Sequence, residues 1–279
     1  MKNKQPFLDK SKQSLVLTDK TKVSHDTFKL RFDLPKGYNL GLPIGKHIKI
    51  YCPNNFERKL DAKWNGRDET ESGDSIERKY TPISSEEDHY LELITKVYRP
   101  NERFSDGGRM SQYIDKLQVG DSMKICGPFG IHQYLEPGVF QSGPKRIGGI
   151  KHIGFLLAGS GLTPGFQIMQ KILSNQLDNT KISLIYANQT ENDILLRDEL
   201  DLFEINHPNQ VKVWHTVERP PENWKYSVGF VTKTMIEQNF PPPSEQVAVV
   251  LCGPPPFLQF ACNPHLESIG YSKDRILTW

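Results

Sequence analysis

The first half of the chain carries short apolar-rich runs separated by glycine and proline turns, over residues 14–18, 27–33, 47–52, 90–97 and 122–126, with an imperfect alternation of apolar and polar positions over 10–33. Side chains alternate between the two faces of a strand, so each run reads as a strand with one face toward a core. Several short strands between turn residues predict an antiparallel barrel or sandwich. Leu40-Gly41-Leu42-Pro43-Ile44-Gly45 reads as a turn-rich entry into the third strand. Between residues 56 and 77 apolar positions thin out, and Arg67-Asp68-Glu69-Thr70-Glu71-Ser72-Gly73-Asp74 has almost none. That stretch predicts an exposed, mobile loop.

The rhythm changes in the second half. Apolar strands over 152–158, 182–187, 211–217 and 247–251 alternate with helical patterns over 165–175, 195–206 and 232–238, which predicts a parallel sheet covered by helices. Residues 141–151, rich in turn formers and without an apolar period, mark the expected domain boundary. The expected architecture is an antiparallel β-barrel domain over 1–145, with a polar insert at about 56–77, followed by a Rossmann-like α/β domain over 146–279.

Composition narrows the function classes. Thirty-five basic against 33 acidic residues leave a net charge of +2, so no global field points toward nucleic acid. The longest apolar run, 153–158, has the length of a buried strand and not of a membrane span. The start, Met1-Lys2-Asn3-Lys4-Gln5, lacks an apolar signal core, so a cytoplasmic location is expected, with peripheral membrane association left open; a monomer is expected. Four cysteines, Cys52, Cys126, Cys252 and Cys262, are scattered without paired ligand spacing, which predicts reduced thiols and no metal centre.

Four loops carry candidate chemistry. Arg78-Lys79-Tyr80-Thr81-Pro82-Ile83-Ser84 offers a guanidinium for a diphosphate, a phenol to pack on an aromatic or ribityl surface, and a hydroxyl for a ring nitrogen. The same residues also suit an ordinary strand end. Gly107-Gly108-Arg109-Met110-Ser111 reads as a glycine turn opening a helix, whose first amides and positive dipole end suit a phosphate; a plain capped turn reads equally well. Ala158-Gly159-Ser160-Gly161-Leu162-Thr163-Pro164 joins a strand to a helix where glycines let a nucleotide approach the backbone, although it lacks the full three-glycine fingerprint. Leu251-Cys252-Gly253-Pro254-Pro255-Pro256-Phe257 again comes directly after a strand, placing Cys252 at the carboxyl end of the sheet, either as a ligand contact or as a buried small thiol.

These segments, in this order, resemble the NADH–cytochrome b5 reductase family within the ferredoxin–NADP reductase-like flavoenzymes. Lys96-Val97-Tyr98, Val119-Gly120-Asp121, Gly127-Pro128-Phe129-Gly130 and the run from Ala187 to Arg197 share the likeness, which covers nearly the whole chain. The resemblance implies an FAD-binding barrel followed by an NADH-binding domain, with the flavin in the cleft between them. It implies that Arg78, Tyr80 and Thr81 hold the diphosphate, ribityl chain and ring, that Ile94 and Lys96 contact the cofactor from a neighbouring strand, and that Lys96 also nears the nicotinamide nucleotide. Gly108, Arg109, Met110 and Ser111 form the implied diphosphate turn, and Thr163 touches the flavin from the second domain. Gly159 and Gly161 open space for NADH, which Cys252, Gly253 and Pro254 also bind, with Cys252 beside the nicotinamide positioning it and Thr81 and Cys252 closest to the chemistry. Lys79 departs from the family, which usually has proline there, and adds positive charge near the cofactor phosphates. The 56–77 insert is also longer than the family's.

Coenzyme choice is read from Val217-Glu218-Arg219. A carboxylate at that strand end accepts hydrogen bonds from an adenosine ribose and repels a 2′-phosphate, favouring NADH, while Arg219 is available to pair with Glu218 or with a phosphate. The implied acceptor is cytochrome b5 or a similar small haem protein, acidic around its haem edge, with Lys46, Arg109, Lys145 and Lys151 as candidate steering charges. Two rivals stay open: the flavin domain of a larger enzyme such as nitrate reductase, and a nucleotide-sensing protein that keeps the fold without electron transfer.

Overall fold

A computed structural model describes residues 4–57, 63–68, 74–85, 87–102 and 104–279. The chain divides into two units, Met1–Phe129 and Gly130–Trp279.

In the first unit, alternation produces the expected strands. Leu15 and Leu17 are buried between exposed neighbours, and the same pattern recurs in the others. The strands are β1 (Gln13–Lys22), β2 (Thr27–Asp33), β3 (His47–Pro53), β4 (Ser75–Tyr80), β5 (Tyr90–Lys96) and β6 (Ser122–Phe129), with helix α1 (Arg109–Lys116) between the last two. They form one six-stranded sheet in the order β4-β3-β6-β1-β2-β5, with every pairing antiparallel. The end strands meet: past β4, the Ile83 amide donates to the Glu92 carbonyl at 2.9 Å, and the Glu92 amide to Ser84 Oγ at 3.0 Å. Ile76 of β4 and Leu91 and Leu93 of β5 enter the same core as Leu17, Phe32, Ile50 and Ile125, and Met110 and Ile114 of α1 cover it. A rolled sheet around one core is the expected barrel.

The second unit opens with a three-stranded antiparallel meander, β7 (His132–Glu136), β8 (Val139–Ser142) and β9 (Lys145–Ile147). This differs from the expected boundary at 145/146. The turn formers around Gly143 and Pro144 make a hairpin, and the meander is tied to the second half of the chain. Tyr134 Oη donates to Asp178 Oδ2 at 2.7 Å and accepts from the Gly138 amide at 2.9 Å.

Beyond it run β10 (His152–Ala158), α2 (Leu162–Ser174), β11 (Lys181–Asn188), α3 (Arg197–Asn206), β12 (Val211–Val217), β13 (Ser227–Val228), α4 (Lys233–Asn239), β14 (Val247–Cys252), α5 (Asn263–Ile269) and β15 (Ile276–Thr278). The strands form a sheet in the order β13-β12-β11-β10-β14-β15, all parallel. Leu156, Leu157, Ile185, Val249 and Val250 are buried, as in a sheet whose faces are both covered. Strand order reverses between β10 and β14, and ligands bind open α/β sheets at the carboxyl ends beside such a switch.

Candidate functional site

Strand β4 delivers the first motif. Register pairs Tyr80 with Ile48 and Arg78 with Ile50, and Tyr80 packs against the barrel core. Burial pushes the Tyr80 phenol well above its usual range, so it stays protonated as a donor. Thr81 is buried just past the strand, and Arg78 is exposed with Nη1 donating to the Glu77 carbonyl at 2.7 Å. Ile94 is buried on β5. Lys96 Nζ lies 2.9 Å from Asp26 Oδ2, so its charge is already neutralised within this unit. Lys79 is exposed, opposite Lys49.

Helix α1 begins at Arg109, behind Gly107 and Gly108, with no side-chain cap on Gly108 and no acidic residue in its first turn. The first amides of a helix have no partner within it, so this start fits a diphosphate through its backbone. The side chains expected there do other work. Arg109 is buried, with Nε donating to the Phe56 carbonyl at 2.8 Å and Nη2 to the Asn54 carbonyl at 2.6 Å. It ties the helix to the turn after β3 and is not a surface steering charge. Ser111 Oγ donates to the Gly108 carbonyl at 2.8 Å and accepts from the Tyr98 amide at 3.0 Å, shaping the turn, and Met110 packs in the core.

The 56–77 insert also differs from expectation. Residues 58–62 and 69–73 lie outside the described residues, but 63–64 and 67–68 pair as a short hairpin whose tip grips the turn before α1. Trp64 Nε1 and Asn65 Nδ2 each donate to the Gly107 carbonyl at 2.9 Å. The Asn65 amide donates to Asp106 Oδ2 at 2.6 Å, and the Asp106 amide to Asn65 Oδ1 at 2.7 Å. The Arg109 guanidinium lies 5.3 Å from the Trp64 ring centre.

In the second unit, two predicted loops meet at the switch point. A β-carbon on Gly161 would lie 2.5 Å from the Cys252 carbonyl oxygen and 2.9 Å from the Gly253 nitrogen, so the missing side chain of Gly161 lets protein backbone approach and does not open space for a coenzyme. At Gly159 the φ of +52° lies in the left-handed region that favours glycine, and nothing lies within 4 Å of its β-carbon position. Tyr186 Oη anchors this loop by donating to the Gly159 carbonyl at 2.8 Å. Thr163 is buried, with a long 3.4 Å bond from Oγ1 to the Ser160 carbonyl. Burial raises the Cys252 thiol to about 11, so it is neutral at physiological pH and is no nucleophile; Gly253 is half-buried and Pro254 exposed beside it.

Glu218 lies just past β12 and is exposed, and its amide donates to the Asn188 carbonyl at 3.2 Å. Arg219 does not pair with it: Nη2 donates to Gln189 Oε1 at 3.3 Å. The carboxylate of Glu218 therefore stands available at the strand end.

The chain matches the Oxidoreductase FAD-binding domain over residues 14–63 and 67–134, and the Oxidoreductase NAD-binding domain over 155–263. It is 44% identical over 272 residues to NADH-cytochrome b5 reductase 2 of Xenopus tropicalis, covering 94% of this chain and 84% of that one. The chain belongs to the NADH–cytochrome b5 reductase family. NADH-cytochrome b5 reductase 1 of Homo sapiens is 40% identical over 283 residues, covering 98% of this chain and 87% of that one. The cytochrome b5 reductase domain of Ulva prolifera nitrate reductase superposes with a TM-score of 0.88 at 38% identity, over 98% of this chain and 100% of that one. A ferredoxin NADP+ reductase from Neisseria gonorrhoeae shares the fold, with a TM-score of 0.70 at 16% identity over 97% and 99% of the two chains. As a family member the chain is a flavoprotein oxidoreductase, and among its described residues no helix is long and apolar enough to cross a membrane.

Within this family member, three features escaped the sequence reading. The clamp by Trp64 and Asn65 was signalled by Asn65-Gly66, a hairpin dipeptide, whose residues both have positive φ. Tyr186 and Gln189 sit in segments already singled out, but only the folded strands show what their side chains hold. Two of the candidate steering charges are also displaced from that role: Lys145 pairs with Asp274 at 2.9 Å, and Lys151 precedes β10 at the amino edge of the sheet, away from the switch-point loops.

Proposed function

We propose that this protein takes hydride from NADH and passes electrons singly to cytochrome b5 or a similar small haem protein. FAD, when bound, supplies the ability to accept hydride and release electrons one at a time. The chain's own work is to bind and orient. Arg78, Tyr80, Thr81, Ile94 and Lys96, together with the backbone from Gly108 to Ser111, are assigned to FAD, with Lys79 adding positive charge nearby. Gly159, Cys252, Gly253 and Pro254 are assigned to NADH, with Cys252 beside the nicotinamide, and Glu218 to its adenosine ribose. Thr163 keeps its assignment to the flavin.

The observation carrying this reading is the contact of the Gly161 and Cys252 loops at the strand-order switch, with a protonated thiol at the carboxyl edge of the sheet. A neutral thiol packs beside a nicotinamide without attacking it. The four cysteines form no disulfide with one another, which supports a reducing, cytosolic setting.

The purified protein should be yellow, bleach on adding NADH without oxygen, and recover its colour on adding oxidised cytochrome b5. A colourless protein that FAD cannot reconstitute would overturn the proposal.

A further inference from the structure

Tyr186 of β11 is the bulkiest of the wholly buried side chains among the described residues. Taking a phenol out of water is unfavourable unless its hydroxyl is hydrogen-bonded, and phenylalanine would fill the same space without that cost. His215 of β12 is the cross-strand partner of Tyr186, with ring centres 6.1 Å apart, and neither ring nitrogen of His215 has a hydrogen bond. The phenol nevertheless donates to the Gly159 carbonyl, at 2.8 Å. Register explains the reach: Tyr186 lies beside Leu157 of β10, just before the loop that opens at Gly159.

Gly159 has a φ of +52° and nothing within 4 Å of its β-carbon position, so steric contact does little to fix the peptide that follows it. Hydrogen bonds fix it instead. The Leu162 amide, at the start of α2, donates to the same Gly159 oxygen, so the phenol and the helix start hold one carbonyl between them. At the other flank, a β-carbon on Gly161 would lie 2.5 Å from the Cys252 carbonyl oxygen. The loop is thus fastened to β11 at its first residue and seated against the end of β14 at its third. A trans peptide points its oxygen and its hydrogen in opposite directions. With the Gly159 oxygen turned to buried Tyr186, that peptide aims no carbonyl at the exposed side of the loop, where Ser160 lies. A carbonyl aimed there would repel the negative oxygens of a diphosphate.

We propose that Tyr186 is a positioning residue for the coenzyme, its hydroxyl holding the Gly159 carbonyl away from the diphosphate of NADH and keeping the loop in its receiving conformation. The inference rests on the assignment of Gly159 to NADH made above. Tyr186 touches no reacting atom and acts through the loop. A hydroxyl with a purely structural role would stabilise the second unit without altering coenzyme affinity.

The test compares Tyr186→Phe, which deletes only the hydroxyl, with Tyr271→Phe in the FAD-loaded enzyme. Tyr271 is a second phenol of the same unit, donating to the Pro241 carbonyl from the core that it shares with residues of α4 and α5. Its variant therefore removes a comparable bond outside the coenzyme loops. Tyr186→Phe should weaken NAD+ binding in a calorimetric titration and raise the KM for NADH, each roughly fivefold, with kcat unchanged. Tyr271→Phe should lower the melting temperature by a similar amount and keep wild-type NAD+ affinity. Adenosine, which lacks the diphosphate, should bind wild type and Tyr186→Phe equally. Wild-type NAD+ affinity in Tyr186→Phe overturns the proposal. So does equal weakening in both variants, which would trace the effect to lost stability, and so does a loss of adenosine affinity as large as that of NAD+. A wild-type enzyme that holds FAD but binds no NAD+ would instead overturn the proposed function, and this role with it.

Discussion

At the residue scale, the two glycines of one nucleotide loop do different jobs, and substitution separates them. Alanine at Gly161 places a carbon 2.5 Å from the Cys252 carbonyl, so the two loops must part. Gly161→Ala should cost about 1–3 kcal/mol and weaken NADH binding as well. Gly159→Ala meets only backbone strain, near 1 kcal/mol, because nothing occupies its β-carbon position. Thermal unfolding with an NADH titration of flavin bleaching checks both; equal effects would show that the loop contact is unimportant. Glu218 gives a second prediction. Arg219 is held by Gln189, so if the Glu218 carboxylate takes the role proposed for it on the ribose, Glu218→Gln should reduce the preference for NADH over NADPH by roughly tenfold. An unchanged ratio of the two kcat/KM values would remove its assigned role.

At the element scale, α1 is positioned from outside itself. The Arg109 guanidinium fastens its start to the turn after β3, and the Trp64–Asn65 hairpin fastens the turn before it. Arg109→Ala leaves the Asn54 and Phe56 carbonyls without these donors and should destabilise the first unit by about 3 kcal/mol, with faster FAD loss on gel filtration. Trp64→Ala should cost about 1 kcal/mol and loosen FAD less. If Arg109→Ala retained FAD at the wild-type melting temperature, the tether would be irrelevant. The insert thus contributes an ordered clamp where its composition predicted only a loop, because two residues of turn chemistry outweigh the polarity around them.

At the scale of the whole molecule, buried and half-buried histidines set acid sensitivity. His215 is fully buried and held down to about 3 by burial and then by Arg197. His152 is held to about 4 by burial and Lys181, and His47 to about 4. Folded values below the ordinary 6.5 mean that the unfolded chain takes up protons first. Their stabilisation is therefore complete above about pH 6.5 and is lost as pH falls toward 4. Stability should drop between pH 6.5 and 4.5, by about 2 kcal/mol for the fully buried His215 and by less for the half-buried His152 and His47, read as a falling melting temperature, and His215→Phe should flatten the fall. A flat profile for wild type would contradict these burials.

Apolar periodicity by itself determined the two halves, since a period of two and an alternation of strand and helix depend only on which face each residue must bury. Turn chemistry likewise marked the four loops, because a glycine turn leading into a helix is a local event. Tertiary structure alone decided three other matters. The meander over residues 132–147 joined the second unit because Tyr134 found Asp178 44 residues away. Arg109 became a tether when the fold brought the Asn54 and Phe56 carbonyls to it. Gly161 came to face Cys252 because β10 and β14 are neighbours in the sheet though far apart in the chain. Each depends on a partner distant in sequence, and no local pattern encodes where such a partner will lie.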